Sequence, residues 1–242
     1  MKSDISLWSP ILPASIQEPV LSRSVEDYLK AIFRLSNQGG FATTSDIAAL
    51  LALAPPSVSG MVKRLSEMGL IEHVPYRGVQ LTAQGRRAAL RMIRRHRVLE
   101  LYLVRNLGYD WDTVHNEAER LEHAVSDELI ERMAAALGDP HYDPHGDPIP
   151  TATGDIEETE LVSLADAQIG DALELRQVVT QDPARLRYFA EQGLVPGVRV
   201  IVTDRQPFNG PTTVLLNASG TARIVGQELA QLLSCLVAAR EA

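Results

Sequence analysis

Apolar residues at helical spacing begin near residue 24. From Ser24 onward, positions 25, 28, 29, 32, 33 and 35 are apolar, which predicts a single buried stripe along a helix. Ser24 and Asp27 match a capping box, so the helix is predicted to begin at Ser24 and to end before Gly39-Gly40. The carboxylate of Asp27 is thus a candidate capping acid for the start of this helix.

Two shorter helices are predicted next. Thr43 begins a second capping box, which predicts a helix through Leu51. The prolines that come after it cannot continue a helix but are tolerated in a first turn. They predict a third helix from Ser57 to Met68, which Gly69 terminates.

Two strand-like runs come after the third helix. Residues 70–74 and 79–82 have strand composition, and the Pro-Tyr-Arg-Gly sequence of residues 75–78 predicts a hairpin turn between them. Three helices and then a hairpin are the element order of a winged helix-turn-helix. We therefore expect a DNA-binding domain over residues 1–85, with residues 1–21 as an N-terminal extension.

The third predicted helix and the hairpin carry side chains suited to DNA. Hydroxyl groups lie in the first turn of the helix, where base edges or phosphates are read, and cations lie further along it and at the hairpin tip. Backbone N–H groups at the start of the helix predict an additional anion site. The alternative is a three-helix protein-interaction domain whose charges are merely solvated. The residues expected to contact DNA are Thr43, Pro56, Ser57, Ser59, Lys63, Arg64 and Arg77.

The remaining pattern predicts two more helices and then a change of period. Residues 86–107 predict a long helix rich in arginine, and residues 111–137 predict a single further helix. Turn-forming and acidic residues come next, typical of a linker. From residue 161 apolar positions alternate, which predicts a small β-barrel-like module closed by a helix over residues 227–237. The predicted domains are helical over 86–140, linker over 141–160 and β-rich over 161–242.

Composition changes this picture mainly through charge. The formal net charge is −8, which alone argues against a nucleic-acid partner. However, residues 1–100 hold 13 Lys and Arg against 8 Asp and Glu, a balance of +5, and the rest of the chain carries −13. Such asymmetry suggests that one part faces a polyanion and that the acidic part binds cations.

Two features bear on the compartment. The single Cys235 excludes an intrachain disulfide framework and favours a reducing environment. The first twenty residues lack a signal-peptide pattern, and no apolar run reaches the roughly 18 residues of a membrane span. We expect a cytoplasmic protein without a membrane partner.

Histidines and glutamates recur along the predicted helix 111–137. His115, Glu119, Glu122 and His123 are separated by four, three and one residues, so they share one face of a helix. Two imidazoles and two carboxylates on one stripe form a ligand set for first-row divalent metals. The alternative is a solvated acidic face with incidental histidines.

The preceding helix adds His96 and Glu100, which are four residues apart and also face one way. Because thiolates are absent from this set, a structural zinc site is disfavoured. The histidines without comparable partners, which are expected to lie at the surface, are His73, His141 and His145.

Several stretches of the chain resemble the diphtheria toxin repressor family of iron- and manganese-dependent regulators, from about residue 22 to the C-terminus. The most specific are Ser24-Val-Glu-Asp-Tyr-Leu, Pro56-Ser-Val-Ser, Tyr76-Arg-Gly-Val-Gln-Leu-Thr, Arg95-His-Arg and His115-Asn-Glu-Ala-Glu-Arg-Leu-Glu-His-Ala-Val-Ser. Two later stretches also match, His145-Gly-Asp-Pro-Ile-Pro and Gly193-Leu-Val-Pro-Gly.

The resemblance implies an α+β fold with an N-terminal winged helix-turn-helix, an all-helical metal-binding and dimerisation domain, and a C-terminal SH3-like β-barrel. It also implies two metal sites. The primary site would comprise Asp27, Glu119, Glu122 and His123, although capping with Ser24 remains the alternative role of Asp27. The ancillary site would comprise His96, Glu100 and His115, with a ligand from the SH3-like domain at Asp182.

This chain departs from the family pattern at three places. Iron-sensing members carry Met and Cys where Asp27 and Glu119 stand here, and an all-oxygen and nitrogen set favours Mn²⁺ over Fe²⁺. Lys30 replaces a further acid of the two-domain manganese regulators, so the full ligand set of their binuclear arrangement is not present here. Arg185, which cannot bind a metal, stands where a second SH3-domain ligand is expected, so Asp182 is the one ligand expected from that domain.

The sequence therefore predicts a non-enzymatic repressor of metal-uptake genes, a homodimer that binds a palindromic operator when Mn²⁺ is present. A cation between Asp27 and the dimerisation helix would fix the orientation of the DNA-binding domains. The alternatives are the same role with Fe²⁺ or another divalent transition metal, a regulator that responds to an organic ligand, and a metallohydrolase that uses metal-bound water.

Overall fold

The computed structural model describes residues 21–36, 40–74 and 76–238. Most of the predicted N-terminal extension, Gly39 at the predicted end of the first helix, and Pro75 in the predicted turn lie outside the described residues.

Three helices and a two-stranded sheet form the N-terminal part of the fold, as predicted. Their apolar faces enclose one core that includes Leu29 and Ile32 from the first helix, Ile47 from the second and Leu65 from the third. The elements are α1 (Arg23–Ser36), α2 (Thr44–Leu51), α3 (Pro55–Glu67), β1 (Ile71–Val74) and β2 (Gly78–Leu81), with the two strands antiparallel.

Glycine at one position fixes the hairpin against the helices. Gly78 has φ +122°, and a Cβ there would lie 2.5 Å from the carbonyl oxygen of Ala42. That close approach lets Ala42 and Val79 exchange backbone hydrogen bonds of 2.9 Å. The wing is thus held against the segment that leads into α2.

The predicted caps of the first two helices have different outcomes. The hydroxyl of Thr43 accepts a hydrogen bond from the N–H of Asp46, as the capping box predicts. The prediction for Ser24 is wrong, because α1 already begins at Arg23 and the carbonyl of Ser22 accepts its first backbone hydrogen bonds. The carboxylate of Asp27 is therefore not engaged as a capping acid with Ser24.

The single predicted helix over 111–137 is two helices. The helical part comprises α4 (Ala83–Leu107), α5 (Val114–Leu121) and α6 (Asp127–Ala136). The hydroxyl of Ser126 accepts a hydrogen bond from the N–H of Leu129 and starts α6, with two acids in its first turn. This break places Glu122 and His123 in a turn rather than on one continuous helical face.

The predicted linker is packed against its neighbours. Arg97 on α4 donates hydrogen bonds to the carbonyl of Pro148 and the carboxylate of Asp147. On the other side, the carbonyl of His145 accepts a 2.9 Å hydrogen bond from the N–H of Val178. The linker therefore lies between the long helix and the C-terminal sheet.

The elements of the C-terminal part are β3 (Val162–Ser163), β4 (Ala172–Val178), α7 (Pro183–Gln192), β5 (Arg199–Arg205), β6 (Thr212–Leu216), β7 (Thr221–Val225), α8 (Gln227–Ala230) and β8 (Leu233–Val237). The strands form a six-stranded antiparallel sheet in the order β3-β8-β4-β5-β6-β7, packed around Phe189 and alternating strand residues.

The predicted terminal helix is wrong over most of its length. Leu233 and Cys235 alternate with half-buried residues in β8, which lies between β3 and β4.

Among the described residues, no single helix has the length and apolar composition needed to cross a membrane. Within the same residues, α2 and α3 reach that length and composition when taken together, and the pair is bent by 113°.

Candidate metal centre and nucleic-acid interface

A cluster of ligand-type side chains lies between α1 and the turn after α5. Asp27 comes from α1, whereas Glu122 and His123 come from the turn. The Nε2 atom of His123 lies 2.9 Å from Oδ1 of Asp27 and 3.3 Å from Oε1 of Glu122. One ligand atom from each of the three lies within 4.8 Å of the others, a spacing that suits a single cation. We call this group the interdomain cluster.

The imidazole of His123 is oriented by Glu26, a residue that the sequence pattern did not single out. Oε2 of Glu26, on α1, lies 2.7 Å from Nδ1 of His123. With the proton on Nδ1, the lone pair of Nε2 points toward Asp27, and this buried atom has no hydrogen-bond partner among the described residues. A carboxylate behind the non-ligating nitrogen is the usual arrangement of metal-binding histidines. The orphaned Nε2 therefore fits a metal ligand.

Lys30 supplies a positive charge to the interdomain cluster. Its Nζ lies 2.8 Å from Oε1 of Glu119 and 2.6 Å from Oε1 of Glu122. Burial lowers the pKa of Lys30, but the two carboxylates outweigh burial and raise it above its ordinary value. Burial likewise raises the pKa of Glu119, but Lys30 brings it below its usual range. Glu119 is thus beside the cluster and held by a side chain from α1.

Asp27 differs from these carboxylates. Burial raises its pKa above the ordinary value, and the charge of His123 only partly opposes that effect. An additional positive charge at this position would therefore favour the ionised form of Asp27.

A second cluster joins α4 to α5. Nε2 of His96 lies 3.0 Å from Oε1 of Glu100 and 3.0 Å from Nδ1 of His115, and the same Glu100 oxygen lies 3.0 Å from Nδ1 of His115. On its other side, Nδ1 of His96 lies 2.6 Å from Oε2 of Glu122. His96 and Glu122 thus connect this second cluster with the interdomain cluster in one buried network.

The electrostatics of the second cluster result from burial and pairing. Burial lowers the pKa of His96, but Glu100 and Glu122 outweigh burial and raise it to about 9. Burial raises the pKa of Glu100, but the charge of His96 and hydrogen bonds with neighbouring histidines bring it well below the usual range. In the absence of a metal, protons therefore supply the positive charge that these acids require.

The donors of both clusters are carboxylate oxygens and imidazole nitrogens. The one cysteine, Cys235, is buried in the C-terminal sheet, where burial raises the pKa of its thiol to about 12. Such a donor set fits a hard or borderline divalent ion such as Mn²⁺.

The structure does not bring Asp182 to these clusters. Its carboxylate accepts a hydrogen bond from the N–H of Ala184 and caps α7, and its side chain is half exposed beside Arg185. The residue that reaches the second cluster from outside the helical part is instead His145, whose Nδ1 lies 3.6 Å from Oε2 of Glu100.

The prediction that His145 lies at the surface is therefore wrong, whereas His73 and His141 are exposed as predicted. The sequence did contain a signal, because the acid Asp143 lies two residues before His145. In the structure both residues are buried. Burial lowers the pKa of His145, but Glu100 outweighs it and raises the value to about 9. Burial and the nearby Asp147 raise the pKa of Asp143 to about 8.

The expected DNA-contacting residues lie mainly on one exposed part of the winged helix. Ser59 donates a 3.1 Å hydrogen bond to the carbonyl of Pro55, and Lys63 lies 3.9 Å from Glu67 with 81% of its side chain exposed. The guanidinium of Arg77 stacks 4.9 Å above the ring of Phe41. Thr43 is half-buried as the cap of α2, and the exposed members are Pro56, Ser57, Ser59, Lys63, Arg64 and Arg77.

The backbone anion site predicted at the start of the third helix is not formed as expected. The helix begins at Pro55 rather than Ser57, and its first two residues are prolines, which lack N–H groups. The N–H groups of Ser57 and Val58 both bond to the carbonyl of Ala54. Side chains, rather than free amides, are what this end of α3 presents.

Three protein families match successive parts of the chain. Residues 20–79 match the iron dependent repressor N-terminal DNA binding domain, and residues 82–151 match the iron dependent repressor metal binding and dimerisation domain. Residues 162–235 match the FeoA domain.

Individual relatives agree with these matches. The chain is 31% identical to a diphtheria toxin repressor from Corynebacterium glutamicum over 194 residues, which cover 76% of this chain and 85% of that protein. It is 38% identical to the HTH-type transcriptional regulator MntR from Lysinibacillus sphaericus over 111 residues, 46% of this chain and 79% of that protein. A solved manganese-dependent transcriptional repressor in complex with manganese superposes with a TM-score of 0.83 at 40% identity, covering 88% of this chain and 100% of that chain.

Proposed function

We propose, from the premise that this chain belongs to the iron-dependent repressor family, that it represses metal-uptake genes and that Mn²⁺ activates it for operator binding. The protein is a metal-dependent, DNA-binding transcriptional repressor of this family, whose members are homodimeric regulators and not a family of enzymes.

One observation carries the coupling. Asp27 lies on α1 of the DNA-binding part, and the orphaned Nε2 of His123, in the turn after α5, lies 2.9 Å from it. A divalent cation held here supplies positive charge that ties the DNA-binding part to the helical part. Its ligands would be Asp27, Glu119, Glu122 and His123, with His96, Glu100 and His115 forming the ancillary site.

The residues of the chain explain why binding of a cation changes DNA affinity. Without it, burial keeps the pKa of Asp27 raised, whereas Lys30 keeps the pKa of Glu119 lowered. Lys30 is then the cation that links α1 to the carboxylates beside the turn. When the cluster is completed, α1 has a fixed position relative to the dimerisation part. Two winged helices in a homodimer then have one spacing, which a palindromic operator matches.

Manganese is favoured by the donors and by the relatives. Oxygen and nitrogen ligands without thiolate or thioether suit Mn²⁺. The similar solved structure is manganese-dependent by its description, whereas the family also includes iron-dependent repressors. Fe²⁺ is therefore the second candidate activator.

We also propose that the protein is cytoplasmic and that it lacks hydrolase activity of its own. An assay for phosphoester and peptide hydrolysis with and without Mn²⁺ tests the absence of hydrolase activity.

The proposed domain division is residues 1–85 for DNA binding, 86–140 for metal binding and dimerisation, 141–160 for the linker and 161–242 for the SH3-like domain. The proposed DNA contacts are Thr43, Pro56, Ser57, Ser59, Lys63, Arg64 and Arg77.

The deciding experiment is a metal titration of DNA binding. An operator selected from random double-stranded DNA in the presence of Mn²⁺ would be titrated by fluorescence anisotropy with Mn²⁺, Fe²⁺, Co²⁺ and Zn²⁺. We expect Mn²⁺ to raise operator affinity by about 5- to 150-fold, the usual range of such coupling. Glu122→Ala and His123→Ala should remove this increase, whereas His141→Ala, at an exposed histidine, should retain it. Wild-type-like activation of the first two variants would contradict the ligand assignment, and a larger response to Fe²⁺ would make iron the activator.

A further inference from the structure

A cavity of about 330 Å³ lies between α4, α6 and the linker. Its wall on α4 is formed by four arginines, Arg87, Arg91, Arg94 and Arg95. Successive members are four, three and one residues apart, so they share one face of the helix. Residues of α6 and residues 151–154 of the linker form the other walls. This arginine cavity includes none of the proposed metal ligands and lies outside the predicted DNA-binding domain.

Positive charge exceeds negative charge in the lining of the arginine cavity. Four guanidinium groups face two carboxylates, those of Asp127 and Glu131 on α6. Asp127 pairs with two of the arginines, and Glu131 pairs with Arg94. Arg87 is exposed and forms no ion pair with a carboxylate among the described residues. Four positive and two negative groups leave a surplus of two positive charges, which attracts anions.

Two of the arginines are already held in place by the protein. Arg94 donates hydrogen bonds to both carboxylate oxygens of Glu131, at 2.8 and 2.6 Å, and to the carbonyl of Pro150 at 2.8 Å. Arg95 donates a 2.7 Å hydrogen bond from Nε to Asp127. Only 12% of the Arg94 side chain and 11% of the Arg95 side chain are exposed. Because these two side chains are already ordered, an anion that binds beside them costs little of their rotamer freedom.

The arginines and the size of the cavity together indicate the class of ligand. A guanidinium group presents parallel N–H donors that match the oxygens of a phosphate group. The N–H donors of Arg87, at the exposed side, are engaged by no described carboxylate. A volume of about 330 Å³ is more than a single phosphate group fills and is near the lower end of the usual range for small-molecule sites.

We propose that the arginine cavity binds a small molecule through a diphosphate group. Arg87 donates hydrogen bonds to the phosphate oxygens at the exposed side. The buried Arg94 and Arg95 attract the ligand through their charge while they remain bonded to the carboxylates of α6. Since α4, α6 and the linker all line the cavity, a bound ligand fastens these three segments together and stabilises the folded chain.

The competing interpretation is an ion-pair network that only joins α4 to α6 and binds no ligand. The two interpretations differ in whether the protein binds a diphosphate at all. Neither depends on the metal or on the operator, so the proposal is tested separately from the proposed function.

The first test measures binding of inorganic pyrophosphate to the metal-free full chain by isothermal titration calorimetry. The protein is freed of metal with EDTA and dialysed to remove the chelator, and ionic strength is held constant. We expect one pyrophosphate per wild-type chain and, for Arg87→Gln, affinity at least about 10-fold lower, because a hydrogen bond to a charged group is lost. Arg105→Gln, at an exposed arginine of the same helix, should bind like the wild type.

The outcome that would overturn the proposal is the absence of saturable binding to the wild-type protein, or equal affinity in Arg87→Gln. The same titration with ADP identifies the source of the diphosphate group. Binding of either ligand with the loss in Arg87→Gln supports the site. Tighter binding of ADP assigns it to a nucleoside diphosphate, and tighter binding of pyrophosphate assigns it to an inorganic one.

A second variant reaches the cavity from its opposite wall. Ala152 is exposed in the linker and lines the cavity, so Ala152→Glu adds a negative charge there without disturbing the core. Pyrophosphate should raise the thermal unfolding temperature of the wild-type protein and of Arg105→Gln, and should raise that of Ala152→Glu much less. An equal rise in Ala152→Glu would mean that the anion binds elsewhere on the chain.

DNA is the other polyanion that these arginines could contact. Operator binding with Mn²⁺ present should therefore be measured for Arg87→Gln over a range of salt concentrations. We expect wild-type affinity and an unchanged slope of log K against log salt. A slope reduced by about one, together with wild-type binding of pyrophosphate, would assign Arg87 to the DNA backbone and overturn the proposal.

Discussion

At one end of the buried network, Glu119 and Glu122 share the ammonium of Lys30, whereas at the other end Glu100 is surrounded by three imidazole rings. An ammonium keeps its charge near neutral pH and is not a metal ligand while protonated. An imidazole can give up its proton and then bind the metal through the nitrogen thus freed. The first end must therefore accommodate a competing cation when metal binds, whereas the second needs only to release protons.

This difference gives Lys30 a definite role. In the metal-free chain it stabilises the contact between α1 and the turn after α5, because it neutralises a glutamate with no exposed side chain. In the metal-bound chain the same charge opposes the incoming cation. Lys30 is thus expected to raise the Mn²⁺ concentration at which the repressor responds.

The largest expected effect comes from Lys30→Met, which keeps a side chain of similar length but removes the charge. The metal-free variant should lose about 3 kcal/mol of unfolding free energy, because the buried carboxylate of Glu122 loses its ammonium partner and retains only its hydrogen bond with His96. Its affinity for Mn²⁺ should rise, so that Mn²⁺ restores much of the lost stability. Urea unfolding with EDTA and with Mn²⁺ measures both effects.

Lys63→Met is the control for that experiment, since Lys63 is 81% exposed and lies 3.9 Å from its partner Glu67. It should change stability by less than about 1 kcal/mol. If Lys30→Met had the same metal-free stability as Lys63→Met, Lys30 would not be the counter-ion of the interdomain cluster.

A second prediction concerns Glu26, which fixes the tautomer of His123. Glu26→Ala should lower the Mn²⁺ affinity of the interdomain cluster about 10- to 100-fold, the usual effect of losing the partner behind a ligating histidine. Glu26→Gln, which retains a carbonyl acceptor for Nδ1, should restore part of the affinity, and Glu128→Ala at an exposed glutamate should have no effect. Isothermal titration calorimetry measures these affinities. Equal losses in Glu26→Ala and Glu26→Gln would argue for charge rather than orientation.

The third prediction concerns how stability and Mn²⁺ affinity depend on pH at the end of the network around Glu100, where imidazoles can release protons. The pKa values of His96 and His145 are raised to about 9 from an ordinary 6.5, and that of Asp143 is raised to about 8 from 3.8. A raised pKa in the folded chain means that protonation stabilises it, and this stability is lost as pH rises through the folded value. The metal-free protein should therefore lose stability between about pH 6.5 and 9.

Mn²⁺ affinity should rise over the same interval, because metal replaces the proton on His96. Thermal unfolding in EDTA and Mn²⁺ titration, each repeated at several pH values, measure the two trends. A stability that increased from pH 6.5 to 9 in the metal-free protein would contradict the assignment of protons as the counter-charge at this end.

The smallest expected effects concern the exposed cations of the winged helix, which contrast with half-buried Lys30. Neutralising Lys63, Arg64 or Arg77 should weaken binding to operator and random DNA alike and reduce the slope of log K against log salt by about one. Mn²⁺ affinity should not change. Ser59→Ala should instead reduce discrimination between operator and random DNA, with the salt slope retained. A uniform loss with a smaller slope in Ser59→Ala would mean that another face of α3 enters the groove.

The order of elements in the DNA-binding part could be predicted from local sequence. The apolar stripe of α1, the cap at Thr43 and the turn between β1 and β2 act within a few residues, so periodicity and backbone chemistry are sufficient to predict them. The residue types of the metal centre could also be predicted from the sequence, because carboxylate and imidazole side chains at helical spacing already indicate a cation-binding site.

The arrangement of those ligands, by contrast, depends on folding. The helical spacing that grouped His115 with His123 assumed one helix, but the hydroxyl of Ser126 starts a new helix and moves His123 into a turn that faces α1. Likewise, the alternation around Cys235 becomes a strand because β3 and β4 lie on either side of it. In each case, a competing local signal or a distant partner outweighed the helical period.

The linker shows this limit most clearly. Its composition is that of an exposed connection, yet Asp143 and His145 are buried. Folding brings the carbonyl of Trp111 to within 2.7 Å of Nε2 of His145, the N–H of Val178 to the carbonyl of His145, and the guanidinium of Arg97 to within 3.7 Å of Asp143. Such contacts depend on segments that are far apart in the chain and are brought together only by folding. The residue types therefore limited which side chains could bind a cation, and the packing of α4 against the linker and β4 selected which of them meet.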